Sequence, residues 1–117
     1  MKFNLEQRLI DHSVTIINLS RNMPRDSVGR YLANQIMRSG ISPALNYSEA
    51  LGAESRKDFV HKIKVVLKEL RETNTCLKII MRTLKFKDSS SIKLILNEKE
   101  ELISIFVKSI KTAQSNL

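Results

Sequence analysis

The chain has 117 residues, with 20 Lys and Arg against 12 Asp and Glu and a formal net charge of +8. This length fits one domain over residues 1–117, and 42% hydrophobic residues are enough for a core. Three Gly and two Pro give too few turns for a sandwich or a barrel, so we expect a few long elements. A lone cysteine and the lack of a membrane-length apolar run predict a cytoplasmic protein without membrane contact.

Four segments have the apolar spacing of amphipathic helices, and their short connections predict an all-α, antiparallel up-down-up-down four-helix bundle. The first predicted helix covers about residues 4–21 and ends before Pro24. Its apolar positions are Phe3, Ile10, Val14 and Ile17, with Leu9 and Ile16 beside them.

The second predicted helix follows Asp26, a residue type favoured at the N-cap position. It continues to Leu51 through Pro43, where we expect a kink. Small side chains would let a neighbouring backbone approach closely here, and they are Ser39, Gly40, Ser42, Ala44 and Ser48.

The third predicted helix begins after Ser55, an N-cap with Asp58 at the third position, and extends to about Leu84. After a turn at 85–88, Asp88 or Ser89 caps a fourth helix that extends to about Ala113. The apolar face of this fourth helix is broader than packing in a single groove between helices of the same chain usually requires. It therefore fits either a helix buried within the bundle or one that also packs against a second subunit.

The excess charge lies on the third helix, since residues 56–87 hold ten basic and three acidic residues. Seven of the cations follow one another at intervals of seven, four and three, so they share one side of the helix over about 40 Å. We expect this basic ridge to bind nucleic-acid phosphates, although Lys-rich helix faces are often merely solvated. Its members are Lys57, Lys64, Lys68, Arg71, Lys78, Arg82 and Lys85.

No pattern in the sequence predicts catalysis, a metal site or a cofactor. His12 and His61 lie on different helices without a metal-ligand spacing, and His12 beside Asp11 resembles a surface pair. Cys76 has no His within reach by helical spacing, so we interpret it as a packing or interface residue. We therefore expect a protein that is not an enzyme.

Polar residues on the apolar second and third helices predict a buried or half-buried structural network. Arg38 would pair with Glu49 or Glu72, and Asn46 would bond to backbone near Pro43. A small polar pocket is the alternative interpretation of the same residues.

Residues 38–50, Arg-Ser-Gly-Ile-Ser-Pro-Ala-Leu-Asn-Tyr-Ser-Glu-Ala, resemble the central signature of the 23S rRNA-intervening sequence protein family, also called four helix bundle proteins. Residues 52–62 and 68–73 resemble the start and middle of that family's third helix. The resemblance covers about residues 10–115. The matching positions are Arg38, Pro43, Asn46, Glu49, Ser55, Asp58, Phe59 and Glu72.

The resemblance implies a bacterial helical bundle that assembles into a ring-like homo-oligomer, typically a pentamer. The molecular role of the family is not established. A similar basic bundle is the accessory protein of diversity-generating retroelements, where it binds nucleic acid and the reverse transcriptase. RNA or DNA and a nucleic-acid-processing enzyme are therefore the expected partners. The alternative function is a protein-interaction module that binds an acidic partner or an enzyme.

Overall fold

The computed structural model describes residues 4–84 and 89–115, and these residues form four α-helices and no strand. The all-α fold predicted from the sequence is confirmed, and the predicted helix bounds differ from the observed ones by at most two residues. The helices are α1 (Leu5–Arg21), α2 (Ser27–Leu51), α3 (Arg56–Leu84) and α4 (Ser89–Ser115).

Side-chain caps begin α2 and α3, as the sequence predicts. The Asp26 carboxylate accepts a hydrogen bond from the Gly29 backbone N–H at 2.8 Å. The Ser55 hydroxyl accepts one from the Asp58 backbone N–H at 3.0 Å. Each cap satisfies a donor that has no partner within the helix. The expected cap at Asp88 lies outside the described residues.

Helices that follow one another in sequence pack side by side, whereas α1 and α4 touch at only a few points. Arg38 of α2 lies against Glu72 of α3, and Glu49, later in α2, lies against Lys62, earlier in α3. The contacts therefore proceed in opposite directions along the two helices. The buried clusters likewise place the start of α1 beside the end of α2, and the start of α3 beside the end of α4. Neighbouring helices therefore run antiparallel, as expected of an up-down-up-down bundle.

The core consists of two buried clusters, one around Phe106 and Leu70 and one around Ile36 and Ile80. Residues of α3 and α4 supply most of the cluster around Phe106 and half of the cluster around Ile36. The chain's own helices therefore cover the centre of the apolar face of α4, whereas Leu96, Ile103 and Val107 beside it are only partly buried. The buried apolar residues of α4 are Ile92, Ile95, Leu102, Phe106, Ile110 and Ala113.

The predicted apolar face of α1 is wrong in its orientation. Ile10 and Val14 are 42% and 49% exposed, whereas Leu9 and Ile16 are buried. The two sets lie on adjacent sides of the helix, so a modest rotation about the helix axis separates them. This rotation leaves part of the apolar surface of α1 outside the core.

A close approach between α1 and α2 explains which side of α1 is buried. The Ser13 hydroxyl donates to the Gly40 carbonyl at 2.9 Å. A Cβ atom added to Gly40 would lie only 2.5 Å from the Cγ2 atom of Ile16. The small residues of α2 thus permit the near contact that the sequence predicts, and this contact fixes the rotation of α1.

Candidate nucleic-acid interface

The structure places the predicted basic ridge on one exposed side of α3. The buried apolar residues of α3 pack in both core clusters. Because the cations lie on the opposite side of the helix, this packing exposes them to solvent. Lys85 lies outside the described residues. The six described members, all exposed, are Lys57, Lys64, Lys68, Arg71, Lys78 and Arg82.

The six described cations of the ridge are not paired with described carboxylates of the bundle. Lys62, which is on α3 but outside the ridge, instead pairs with Glu49 of α2 at 3.4 Å. The acidic residues of the bundle therefore leave the ridge as a row of like charges exposed to solvent.

The predicted structural network is divided and more exposed than expected. Arg38 contacts Glu72 through one guanidinium nitrogen, and its other terminal nitrogen lies 3.6 Å from Glu69 Oε2. The Arg38 side chain is 54% exposed and that of Glu72 is 42% exposed, so the predicted pair of Arg38 with Glu72 is present and is half-buried rather than buried. The long Arg side chain reaches its partner along the outside of the α2–α3 seam.

Glu49 and Asn46 belong to separate interactions. Arg38 and Glu49 are eleven residues apart, about 16 Å along α2, so they face different parts of α3. The Asn46 amide donates to the Ser42 carbonyl at 3.0 Å and to the Ser42 hydroxyl at 2.9 Å. Asn46 thus bonds to backbone beside Pro43, as expected, but it does not join the Arg38 pair.

Glu69 is the buried member of the Arg38 group. Burial raises the pKa of its carboxyl, and the neighbouring Glu72 carboxylate raises the pKa further, while Arg38 and Lys68 act in the opposite direction. Its Oε2 atom has no hydrogen-bond partner, so the ion pair with Arg38 at 3.6 Å is its main compensation. The Arg38 guanidinium therefore bridges two carboxyls of α3 to α2.

A buried pair between α1 and α4 is absent from the sequence-based predictions. Lys99 of α4 is 0% exposed, and its Nζ atom lies 3.0 Å from Nε2 of His12, which is 4% exposed. The expected surface pair of His12 with Asp11 is wrong, because Asp11 instead accepts a hydrogen bond from Gln7. Lys99 follows Ile95 by four residues, so its place on the buried stripe was the available signal.

Burial makes both members of this pair neutral. It lowers the pKa of Lys99 from 10.5 to about 6, and it lowers the pKa of His12 from 6.5 to about 3 with a further contribution from Lys99. A neutral amine and a neutral imidazole can each donate or accept a hydrogen bond, so one N–H···N hydrogen bond can join Lys99 and His12 at pH 7. A cavity of about 420 Å³ adjoins it and is lined by Arg8, Asp11, His12, Thr15, Leu94, Ile95 and Glu98.

Cys76 is half-buried and packs against the cluster around Ile36 and Ile80. Burial raises the pKa of its thiol, which keeps the thiol protonated and poorly nucleophilic. Within the described residues, His, Cys, Asp and Glu form no group of three that could hold a metal ion. No helix of these residues is both long and apolar enough to cross a membrane.

The fold and the exposed charge define a class of small, basic, all-α four-helix proteins. Within that class, the model of the 23S rRNA-intervening sequence protein family matches residues 1–108, and the chain belongs to this family. The chain is also similar to a crystal structure from Bacteroides thetaiotaomicron, a protein of unknown function from the S23 ribosomal protein family. The two are 30% identical, with a TM-score of 0.85 over 92% of this chain and 99% of the other. No curated protein matches the chain.

Proposed function

We propose that this protein is a non-catalytic scaffold that binds the phosphate backbone of RNA or DNA through the basic ridge, without sequence preference. The observation that carries the proposal is the row of six exposed cations on α3 that lack ion pairs with the described carboxylates. The proposal places the protein in the cytoplasm, where cellular nucleic acid is available.

The spacing of the ridge supports backbone contact rather than base recognition. Like charges aligned along a helix repel one another, and a polyanion relieves this repulsion while releasing its condensed counterions. The ridge positions contain no aromatic side chain on which an unpaired base could stack. Affinity should therefore depend strongly on salt and weakly on sequence.

A triple substitution on the ridge tests this function. Changing Lys64, Lys68 and Arg71 together to Gln should flatten the dependence of log affinity on log salt by about 0.9 per lost contact on duplex DNA. The matched control removes three exposed cations elsewhere, Arg21, Arg25 and Arg30, and should preserve most of the slope. Fluorescence anisotropy at several salt concentrations measures both.

Two results would overturn the proposal. One is no binding of RNA or DNA by the parent protein at a salt concentration of about 50 mM, where phosphate contacts are strong. The other is an unchanged salt slope in the ridge variant. Either result favours the alternative function, a module that binds an acidic protein or a nucleic-acid-processing enzyme.

The proposal includes assembly into a homo-oligomer, with a pentamer as the expected form. Apolar surface outside the core supports it, since Val14 and Ile10 of α1 form an exposed pair one turn apart. Tyr31 of α2 and Ile79 of α3 are also exposed, at 63% and 48%, beside a groove between these helices. A ring would multiply the ridge and increase avidity for a long polyanion.

Light scattering tests the assembly. The parent should have about five times the chain mass of 13.4 kDa, and Val14→Glu should lower this mass while helicity is unchanged. Thr15→Glu is the control, because it adds the same charge about 100° around α1. A parent mass equal to one chain would refute assembly.

A further inference from the structure

The basic ridge is not uniform, because one of its ends forms a notch. Lys57, His61 and Lys64 lie within two turns of α3, and Gln114 of α4 closes the space beside them. The notch is open to solvent and has a volume of about 280 Å³. Val60, a buried residue, is also part of the lining.

The polar side chains of the notch fit an anion with several acceptor oxygens. Each ammonium group carries three donors, the Gln114 amide carries two, and a neutral imidazole carries one. Among the residues that the structure describes, no carboxylate lines the notch. A phosphate group offers acceptors only and gains charge-assisted hydrogen bonds from such donors.

The electrostatic field of the notch comes from these side chains. The notch lies between the N-terminal end of α3 and the last turn of α4, and these two helix ends carry opposite partial charges. The helix dipoles therefore largely cancel. A concave surface of one charge sign focuses its field, which the convex remainder of a helix face does not do.

We infer that this notch is the anchoring site of the ridge, where one backbone phosphate of the nucleic acid is held by Lys57, Lys64 and Gln114 together. The inference rests on the proposed function and adds a specific site to it. Gln114 is the informative member, because it belongs to a different helix and contributes no charge to the ridge.

Two isosteric substitutions on α4 test the site. Gln114→Glu places a carboxylate in the notch, whereas Asn97→Asp makes the same amide-to-carboxylate change at an exposed position outside it. In fluorescence anisotropy with duplex DNA, Gln114→Glu should weaken binding at least about tenfold more than Asn97→Asp. Gln114→Ala should weaken binding about two- to tenfold without altering the salt slope, since it removes a neutral donor.

Titration with inorganic phosphate distinguishes the two possible sources of the anion. The side-chain amide signal of Gln114 in a nitrogen–proton NMR spectrum should shift with duplex DNA at lower concentrations than with inorganic phosphate. A shift with inorganic phosphate alone would make the notch a site for free phosphate and overturn the inference.

The failure of the inference is separable from the failure of the proposed function. If the parent binds DNA but Gln114→Glu and Asn97→Asp behave alike, the ridge binds as a uniform surface and the notch is not its anchor. If the parent does not bind nucleic acid at all, the proposed function fails, and the inference fails with it.

Discussion

Replacing Lys99 by Met should stabilise the protein, although it removes a buried hydrogen bond. Lys99 lies between Ile95 and Leu102 on the core side of α4, and its Nζ atom is 3.0 Å from Nε2 of the buried His12. Met has a similar length and no amine, so it fills the same space without a group that must lose its charge on folding.

The magnitude follows from the pKa of Lys99, which is about 6 in the folded protein against 10.5 in the unfolded chain. At pH 7 the unfolded chain holds a proton that the native state has released, and each pKa unit corresponds to about 1.4 kcal/mol. Neutralising Lys99 therefore costs about 5 kcal/mol at pH 7. Loss of the partner of His12 costs about 1–3 kcal/mol, so the variant should gain about 2–4 kcal/mol.

The same linkage sets the direction of the pH dependence. Between pH 6 and 10.5 unfolding takes up one proton at Lys99, so the native state becomes more stable as pH rises, by about 1.4 kcal/mol per unit. His12, with a pKa of about 3 against 6.5, takes up its proton on unfolding between pH 3 and 6.5. The His12 contribution therefore lowers stability as pH falls through that lower window.

Urea unfolding followed by circular dichroism between pH 6 and 9.5 measures these effects. Lys99→Met should raise the midpoint at pH 7 and lose the upward slope above pH 6, with an unchanged m-value. Lys93→Met, an exposed change on the same helix, should retain the parent behaviour. A Lys99→Met variant that is less stable than the parent at pH 7, or that keeps the slope, would show that the amine is charged in the folded protein.

Three further substitutions test the packing. Arg38→Ala should cost about 2–4 kcal/mol in urea unfolding, because it removes the partly exposed pair with Glu72, worth about 1 kcal/mol, and leaves the buried Glu69 Oε2 without its partner, at about 1–3 kcal/mol; an unchanged midpoint would contradict this. Gly40→Ala should lower stability by about 1–3 kcal/mol through its clash with Ile16, and an unchanged melting temperature would refute the close approach. Phe106→Lys should abolish cooperative unfolding, because it buries an unpaired charge in the core at a cost of several kcal/mol.

The sequence predicts the elements of this fold well because long helices have strong local signals. The caps at Asp26 and Ser55 and the apolar stripes of α3 and α4 require only a period of 3.6 residues. The basic ridge was predictable for the same reason, since its members are defined by their angle around a single helix. Features that belong to one helix were therefore recovered from the sequence.

Features that join two helices were predicted less well. The rotation of α1 depends on how closely its backbone approaches Gly40, and apolar spacing alone favoured the side containing Ile10 and Val14. The partner of Glu49 depends on the register of α2 against α3, which places Lys62 opposite it. The notch at Gln114 likewise exists only because α4 ends beside the start of α3.

Lys99 belongs both to the pattern of a single helix and to a contact between two helices. A charged residue type on an apolar stripe conflicts with local expectation, and His12, 87 residues away in sequence on another helix, gives the amine a hydrogen-bond partner. A slip of α4 by one turn relative to α1 would move the amine about 5.4 Å and leave it buried without a partner. The same slip would move Gln114 away from Lys57 and Lys64. The pair that lowers the stability of the bundle should therefore also favour the register in which the notch is formed.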